Sequence, residues 1–135
     1  MTVAVIDGMG GGIGEQIVSQ LRKNLPEELV IIALGTNAIA TDRMIRAHAS
    51  CGASGENAIR ININKADFII GPIGIVLPNS MMGEISPFIA ENVMNAPGRK
   101  LLIPLSQRHI EIIGLAEKSV ADLISLAIEK LKSNI

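Results

Sequence analysis

A cluster of glycines near the amino terminus carries the clearest chemistry in this sequence. The run Asp7-Gly8-Met9-Gly10-Gly11-Gly12-Ile13-Gly14 holds five glycines within seven residues, more than a turn requires. Glycines permit sharp turns and let peptide N–H groups and a helix amino terminus approach a phosphate closely. We therefore predict that residues 8–14, the glycine loop, bind a phosphate-bearing nucleotide or a similar anion. The alternative is a tight strand-to-helix connection without a ligand.

Other polar residues follow later predicted strands. They are Thr36 and Asn37, Asn79 and Ser80, Glu84, and Gln107-Arg108-His109. If they converge, Glu84, Arg108 and His109 could act as an acid, an anion clamp and a base. The alternative is ordinary capping and turn chemistry. No metal site is predicted, because the two histidines and one cysteine lack H-x-x-x-H and C-x-x-C spacings.

An alternation of strands and helices is expected to position these loops. Short apolar runs predict strands at residues 3–6, 29–34, 67–70, 100–105 and 110–115. Helical spacing and capping residues predict helices at 14–25, 36–50, 56–65, 87–95 and from 120 onward. The helix at 56–65 competes with a strand, because Ile59, Ile61 and Ile63 alternate. In the second helix, the core face is expected to include Ile39, Met44, Ile45 and Ala49.

This alternation predicts one α/β domain over residues 1–135, a small three-layer parallel or mixed sheet with helices on both faces. A chain of 135 residues buries roughly two thirds of its unfolded surface. Ligands of such sheets bind at the carboxyl ends of the strands. The glycine loop and the residues after the other strands are therefore expected to share one edge.

Composition restricts the partners. The 12 Lys and Arg against 13 Asp and Glu supply no basic surface for nucleic acid or an anionic membrane. The chain has two Phe and no Tyr or Trp, which disfavours base stacking and excludes a catalytic tyrosine. A single cysteine and an amino terminus unlike a signal peptide predict a cytoplasmic protein. The mean hydropathy of +0.41 predicts a homo-oligomer, with residues 110–115 or the last helix as interface.

The spacing of Gly8, Gly12 and Gly14, with Ile13 between the last two, gives G-x-x-x-G-I-G, which resembles the cofactor loop of short-chain dehydrogenases and reductases. The resemblance implies a Rossmann-like fold and NAD or NADP as cofactor. The segment 67–75, Asp-Phe-Ile-Ile-Gly-Pro-Ile-Gly-Ile, resembles the strand that in those enzymes leads to an Asn-Asn-Ala-Gly turn, with Gly74 matching its glycine. The similarity covers the first half of the chain at most, and the Tyr-x-x-x-Lys pair of those enzymes is absent.

Two positions depart from that family. Asp7 stands where those enzymes usually carry a small hydroxyl residue, so its carboxylate must turn away from the phosphates, be bridged by a cation, or bond to loop amides. The second strand ends in Leu34-Gly35-Thr36-Asn37 rather than in the acidic residue that holds an NAD ribose. Thr36 and Asn37 could instead donate to a 2′-phosphate, with Arg43 nearby.

Over nearly its full length the chain also resembles a family of small bacterial proteins of unknown function. The similarity lies in the motifs D-G-x-G-G-G-I-G, A-L-G-T-N-A-I-A-T, G-E-N-A-I and G-P-I-G-I. It implies no activity.

Our leading hypothesis is a nucleotide-binding protein that binds NAD or NADP. Its phosphates would lie on Gly8, Met9, Gly10, Gly11, Gly12, Ile13 and Gly14. The ribose would meet Thr36 and Asn37, and the floor of the site would be Gly71, Pro72, Ile73 and Gly74. The alternative is a non-catalytic regulatory or partner-binding module with a small ligand at the same edge. A third hypothesis is an enzyme acting through Glu84, Arg108 and His109.

Overall fold

Five strands and five helices alternate along the chain in a computed structural model that describes residues 1–105, 107 and 109–135. The strands are β1 Thr2–Asp7, β2 Val30–Gly35, β3 Cys51–Ser54, β4 Phe68–Pro72 and β5 Arg99–Ile103. The helices are α1 Gly12–Asn24, α2 Ala38–Arg46, α3 Glu56–Asn62, α4 Pro87–Asn95 and α5 Val120–Lys132. Short 3₁₀ turns cover Ile63–Lys65, Ile73–Val76 and Met81–Gly83.

The strands form one parallel sheet in the order β3-β2-β1-β4-β5. At the carboxyl end, Asp7 of β1 lies opposite Gly35 of β2, and Val5 lies opposite Ile70 of β4. The chain moves outward from β1 through β2 to β3 and then returns to the other side of β1. The loops after β1 and β4 therefore separate at a topological switch point, where such sheets bind ligands. The predicted α/β fold is confirmed, and it is consistent with a small Rossmann-like domain.

Helices cover both faces of the sheet. Val3 and Val5 of β1 belong to a buried apolar cluster with side chains of α1, α2 and α5. Ala4 and Ile6 belong to a second cluster with side chains of α3 and α4. Successive residues of a strand point to opposite faces, so β1 contributes to both clusters. This double coverage explains why its sequence is continuously apolar.

The region after α2 differs from the prediction. The helix ends at Arg46 rather than at about residue 50, and Cys51–Ser54 forms the edge strand β3, a strand that the sequence did not predict. The small side chains of this strand give no apolar signal in the sequence. Its position is set by pairing with β2, in which Ala33 lies opposite Gly52.

The buried face of α2 also differs from the prediction. Met44 is buried as expected, but Ile39 is 70% exposed and Ile45 is 42% exposed. Ala40 and Thr41 face inward instead. A small residue is needed at Ala40 because Gly11 packs against it, and the Thr41 hydroxyl accepts hydrogen bonds from the Gly35 amide and the Ser54 hydroxyl.

Three other helix predictions are confirmed. Glu56–Asn62 is helical, so the ambiguity at residues 56–65 resolves in favour of the helix. Ser86 caps α4 by accepting a hydrogen bond from the Ile89 amide, and Ser119 caps α5 by accepting one from the Asp122 amide. On α5 the predicted apolar face includes the buried Ile124, Ile128 and Leu131.

The prediction of a strand at residues 110–115 is wrong. In the described residues this segment makes a single antiparallel bridge, from Ile110 to Gln107, and forms no strand. Its apolar side chains are exposed, and Ile113 reaches 89% exposure. Among the described residues, no helix is long and apolar enough to cross a membrane.

Candidate functional site

An open cleft of about 320 Å³ lies at the carboxyl edge of the sheet, between the glycine loop and the segments that follow β4 and β5. The cleft is lined by Asp7, residues 8–13, Gln16, Pro72, Met81, Leu105 and Gln107. One side therefore consists of backbone, and the other of predominantly aliphatic side chains. The sequence correctly placed the glycine loop at this edge, because the loop joins the central strand β1 to α1.

Asp7 fastens the two ends of the glycine loop together. Its Oδ1 accepts a hydrogen bond from the Gly8 amide at 2.8 Å, and its Oδ2 accepts one from the Gly14 amide at 2.7 Å. The side chain is only 4% exposed, and this burial raises the pKa of Asp7, against the lowering effect of the two amides. Of the three arrangements considered for this carboxylate, the structure has the one in which it bonds to loop amides.

Three amides of the glycine loop have no hydrogen-bond partner among the described residues. The amides of Gly8, Met9, Gly11 and Gly14 all donate to oxygens of the chain. In contrast, no acceptor among the described residues contacts the amides of Gly10, Gly12 and Ile13. Unused amides at the first turn of α1 are oriented donors at the positive end of a helix dipole. They are the groups that this loop can offer to an anion.

The glycines of the loop divide into two groups. A Cβ added to Gly11 would lie 2.7 Å from Cα of Ala40, and Gly11 also has a positive φ of 76°. A Cβ added to Gly14 would lie 2.9 Å from Cβ of the buried Asp7 and 2.6 Å from Sδ of Met44. Both glycines are therefore required by the fold. At Gly10 and Gly12, however, an added Cβ meets nothing closer than the Arg43 guanidinium, at 3.9 and 3.7 Å.

Glu84 ties together the loops after β1 and β2. Its Oε1 accepts hydrogen bonds from the Met9 amide at 3.0 Å, the Thr36 hydroxyl at 2.6 Å and the Asn37 side-chain amide at 2.8 Å. The bond from Thr36 is the largest cause that lowers the pKa of Glu84. The sequence named Thr36, Asn37 and Glu84 separately. It gave no sign that they meet, because 47 positions separate Glu84 from Asn37.

Arg43 lies beside the loop but is already engaged. Its Nη1 donates to the Gly10 carbonyl at 3.0 Å, and its Nε forms an ion pair with Glu15. Both partners belong to the loop or to the first turn of α1. Arg43 thus clamps α2 onto the loop.

The predicted floor of the site is only partly at the cleft. Pro72 lines it, whereas Gly71 is buried in the sheet, where an added Cβ would lie 2.5 Å from the Ile6 carbonyl oxygen. The carbonyl of Gly74 accepts a hydrogen bond from the Ser80 hydroxyl. The fold thus requires glycine at position 71, and the carbonyl of Gly74 stabilises the turn that follows β4. Ile73 is the first residue of the 3₁₀ turn after β4.

Left-handed backbone is concentrated at this edge. Met9 in the glycine loop and Asn79, Met81 and Met82 in the segment before Glu84 all have φ between 51° and 68°. Non-glycine residues in this region are strained and collect at ligand sites and switches. Two of these methionines are also exposed to solvent, Met9 to 45% and Met82 to 92%. The sequence carried no signal for this strain.

The described residues do not support the hypothesis of an enzyme that acts through Glu84, Arg108 and His109. His109 is exposed, and its side chain makes no hydrogen bond or ion pair with a described residue. Arg108 lies outside the described residues. Within the described part of the chain, no group of three His, Cys, Asp or Glu side chains could hold a metal ion.

Comparison with known proteins gives a family but no activity. Residues 2–135 match the family described as "Domain of unknown function (DUF3842)", so the chain belongs to that family. A search of curated proteins finds no match.

Proposed function

We propose that this protein binds a nucleotide, NAD or NADP, whose phosphates lie on the amides of Gly10, Gly12 and Ile13. One observation supports the proposal: amides without an acceptor among the described residues lie beside glycines that the packing of the fold does not require. The same short stretch has three amides without an acceptor among the described residues, and two glycines at which an added Cβ would make only an ordinary contact with Arg43. A ligand atom close to the backbone accounts for both facts.

The local electrostatics support a phosphate at this position. The carboxylate of Asp7 is the nearest obstacle, but its two oxygens face the amides of Gly8 and Gly14. Its charge is therefore offset by the loop itself. The remaining amides of the first turn of α1 keep their partial positive charge for a ligand.

The opposite wall of the cleft suits the rest of a nucleotide. Pro72, Met81 and Leu105 supply aliphatic surface, and Gln107 supplies an amide side chain. Aliphatic side chains can cover the face of a heterocyclic ring in a site without aromatic residues. The cleft volume of about 320 Å³ holds part of a dinucleotide, and its open side leaves room for the remainder.

Calorimetric titration of the full chain with NAD, NADP, ATP and FAD tests the proposal. We expect binding of a nicotinamide dinucleotide in the wild type and a loss of at least about tenfold in affinity in Gly12→Leu, because the side chain fills the space above the amides. Ser19→Leu is the matched control. It lies two turns along the same face of α1 and is exposed.

Thermal melts of both variants separate loss of binding from loss of fold. Binding that is lost in a folded Gly12→Leu supports a ligand at the loop. Absence of binding to both NAD and NADP at millimolar concentration overturns the proposal, whatever the result with ATP and FAD. The edge would then fit the alternative, a regulatory or partner-binding module with a different small ligand.

A further inference from the structure

We propose that Glu84 determines which ribose the site accepts, by providing the carboxylate that binds free ribose hydroxyls and repels a 2′-phosphate. This inference rests on the nucleotide-binding function proposed above. It concerns a residue that follows β4, far in sequence from the end of β2 where the ribose is expected to lie.

The Glu84 carboxylate lies next to the glycine loop and the end of β2. Thr36 directly follows β2, and its amide donates to the Asp7 carbonyl at 3.0 Å, so it lies at the junction of the two strands. Oε1 of Glu84 is 2.6 Å from the Thr36 hydroxyl and 3.0 Å from the Met9 amide. The Glu84 carboxylate thus stands beside the glycine loop and at the tip of β2. In dinucleotide-binding sheets, an acidic side chain near the end of β2 binds the ribose hydroxyls.

One oxygen of the Glu84 carboxylate accepts several hydrogen bonds from the described residues. All the bonds that described residues donate to Glu84 go to Oε1. Oε2, which accepts no hydrogen bond from a described residue, is the atom that we assign to a hydroxyl of the ligand. Because these bonds lower the pKa of Glu84, the group is ionised at neutral pH and can only accept.

Thr36, Asn37 and Arg43, the side chains that the sequence suggests for a 2′-phosphate, already have partners within the chain. Thr36 and Asn37 both donate to Glu84. Arg43 pairs with Glu15 and donates to the Gly10 carbonyl. Each of these three side chains is thus engaged by an oxygen of the chain, and a 2′-phosphate beside them would meet the negative charge of Glu84.

Parallel titrations of the wild type, Glu84→Gln and Glu91→Gln with NAD and NADP test this inference. We expect the wild type to bind NAD at least about tenfold more tightly than NADP, because a charged hydrogen bond is replaced by repulsion. Glu84→Gln keeps an Oε1 acceptor for Thr36 and Asn37 and removes the charge. It should narrow the preference by several-fold. Glu91→Gln, an exposed site on α4, should leave the preference unchanged.

The outcomes distinguish this inference from the function on which it rests. Equal affinity of the wild type for NAD and NADP overturns the role of Glu84 and leaves nucleotide binding intact. An unchanged preference in a folded Glu84→Gln does the same. Binding of neither dinucleotide overturns the proposed function itself. The wild-type comparison needs no variant, so equal affinities for NAD and NADP would overturn the role of Glu84 even if Glu84→Gln unfolds.

Discussion

Oδ2 of Asp7 accepts a hydrogen bond from the amide of Gly14 at 2.7 Å and so joins the end of β1 to the first turn of α1. With the bond from Gly8, the carboxylate closes the glycine loop into a ring of fixed shape. The loop therefore holds its form through its own residues. Its remaining amides are held in fixed directions, which would lower the entropy cost of the ligand binding that we propose.

We expect Asp7→Ala to destabilise the protein by about 2 kcal/mol or more, because it leaves two buried amides without an acceptor. Chemical denaturation followed by circular dichroism measures this change. Asp42→Ala is the control, since the one side-chain interaction of Asp42 with a described residue is an exposed ion pair with Arg46 on α2. Its cost should stay below about 0.5 kcal/mol. Equal stability of Asp7→Ala and the wild type would contradict the role of the carboxylate.

Glu84 should make a pH-dependent contribution to stability. Its pKa is lowered in the folded protein, so the folded state favours the ionised form. The contribution is therefore complete above the ordinary value of 4.5 and is lost as the pH falls through the lower folded value. We expect the difference in unfolding free energy between wild type and Glu84→Gln to be about 0.5–1 kcal/mol at pH 7.

The measurement is denaturant unfolding of both proteins between pH 7 and pH 3. The difference should stay constant down to about pH 5 and shrink in more acidic solution. Because Asp7 is present in both proteins, its own titration largely cancels. A difference that grows on acidification would show that the sign of the shift is wrong.

Substitution by alanine should destabilise the protein much more at Gly11 than at Gly12. Gly11→Ala places a Cβ 2.7 Å from Cα of Ala40 at a residue with φ of 76°, so a loss of about 2 kcal/mol or more is expected. Gly12→Ala adds a Cβ at the first residue of α1, where its nearest neighbour is the Arg43 guanidinium at an ordinary contact distance of 3.7 Å. It should change stability by less than about 1 kcal/mol, in either direction.

Thermal melting of the two variants checks this contrast. The two positions are adjacent, so the comparison isolates local geometry from composition. If Gly12→Ala were as damaging as Gly11→Ala, the glycine at position 12 would be required by the fold. The main support for a ligand at the loop would then be lost.

The sequence was sufficient where one pattern determined one element. The apolar run of β1 and the spacing of Ile17, Leu21 and their neighbours in α1 predict the strand and helix that flank the loop. It was insufficient where contacts between distant segments decide. Strand β3 has no apolar pattern and exists through pairing with β2.

The candidate site shows the same division. The glycine loop is local in sequence, so its place at the sheet edge follows from the fold class. The Glu84 carboxylate reaches Thr36 across 48 positions, through a turn with left-handed backbone at Asn79, Met81 and Met82. Propensity disfavours that backbone for methionine, and no local rule predicts it. The contact is a product of the tertiary structure.

Self-association remains a prediction, and the structure suggests its location. Among the described residues β5 pairs only with β4, so its outer edge is free. A groove of about 320 Å³ runs along this edge beside α5 and is lined by leucines together with Lys100 and Lys130. The exposed segment 110–115 is apolar and carries Glu111, which complements the two lysines. We predict that this segment of one copy docks on β5 of a second copy.

Sedimentation velocity at micromolar concentration checks this prediction. The wild type should sediment as a dimer. Ile113→Asp should be monomeric, because it places a charge at the most exposed apolar residue of the segment. Ile39→Asp is the control, because Ile39 is 70% exposed on α2, outside this groove.

A monomeric wild type would contradict the prediction. A dimer that survives Ile113→Asp would place the interface elsewhere, since a buried charge without a partner at that position should weaken the contact at least about tenfold.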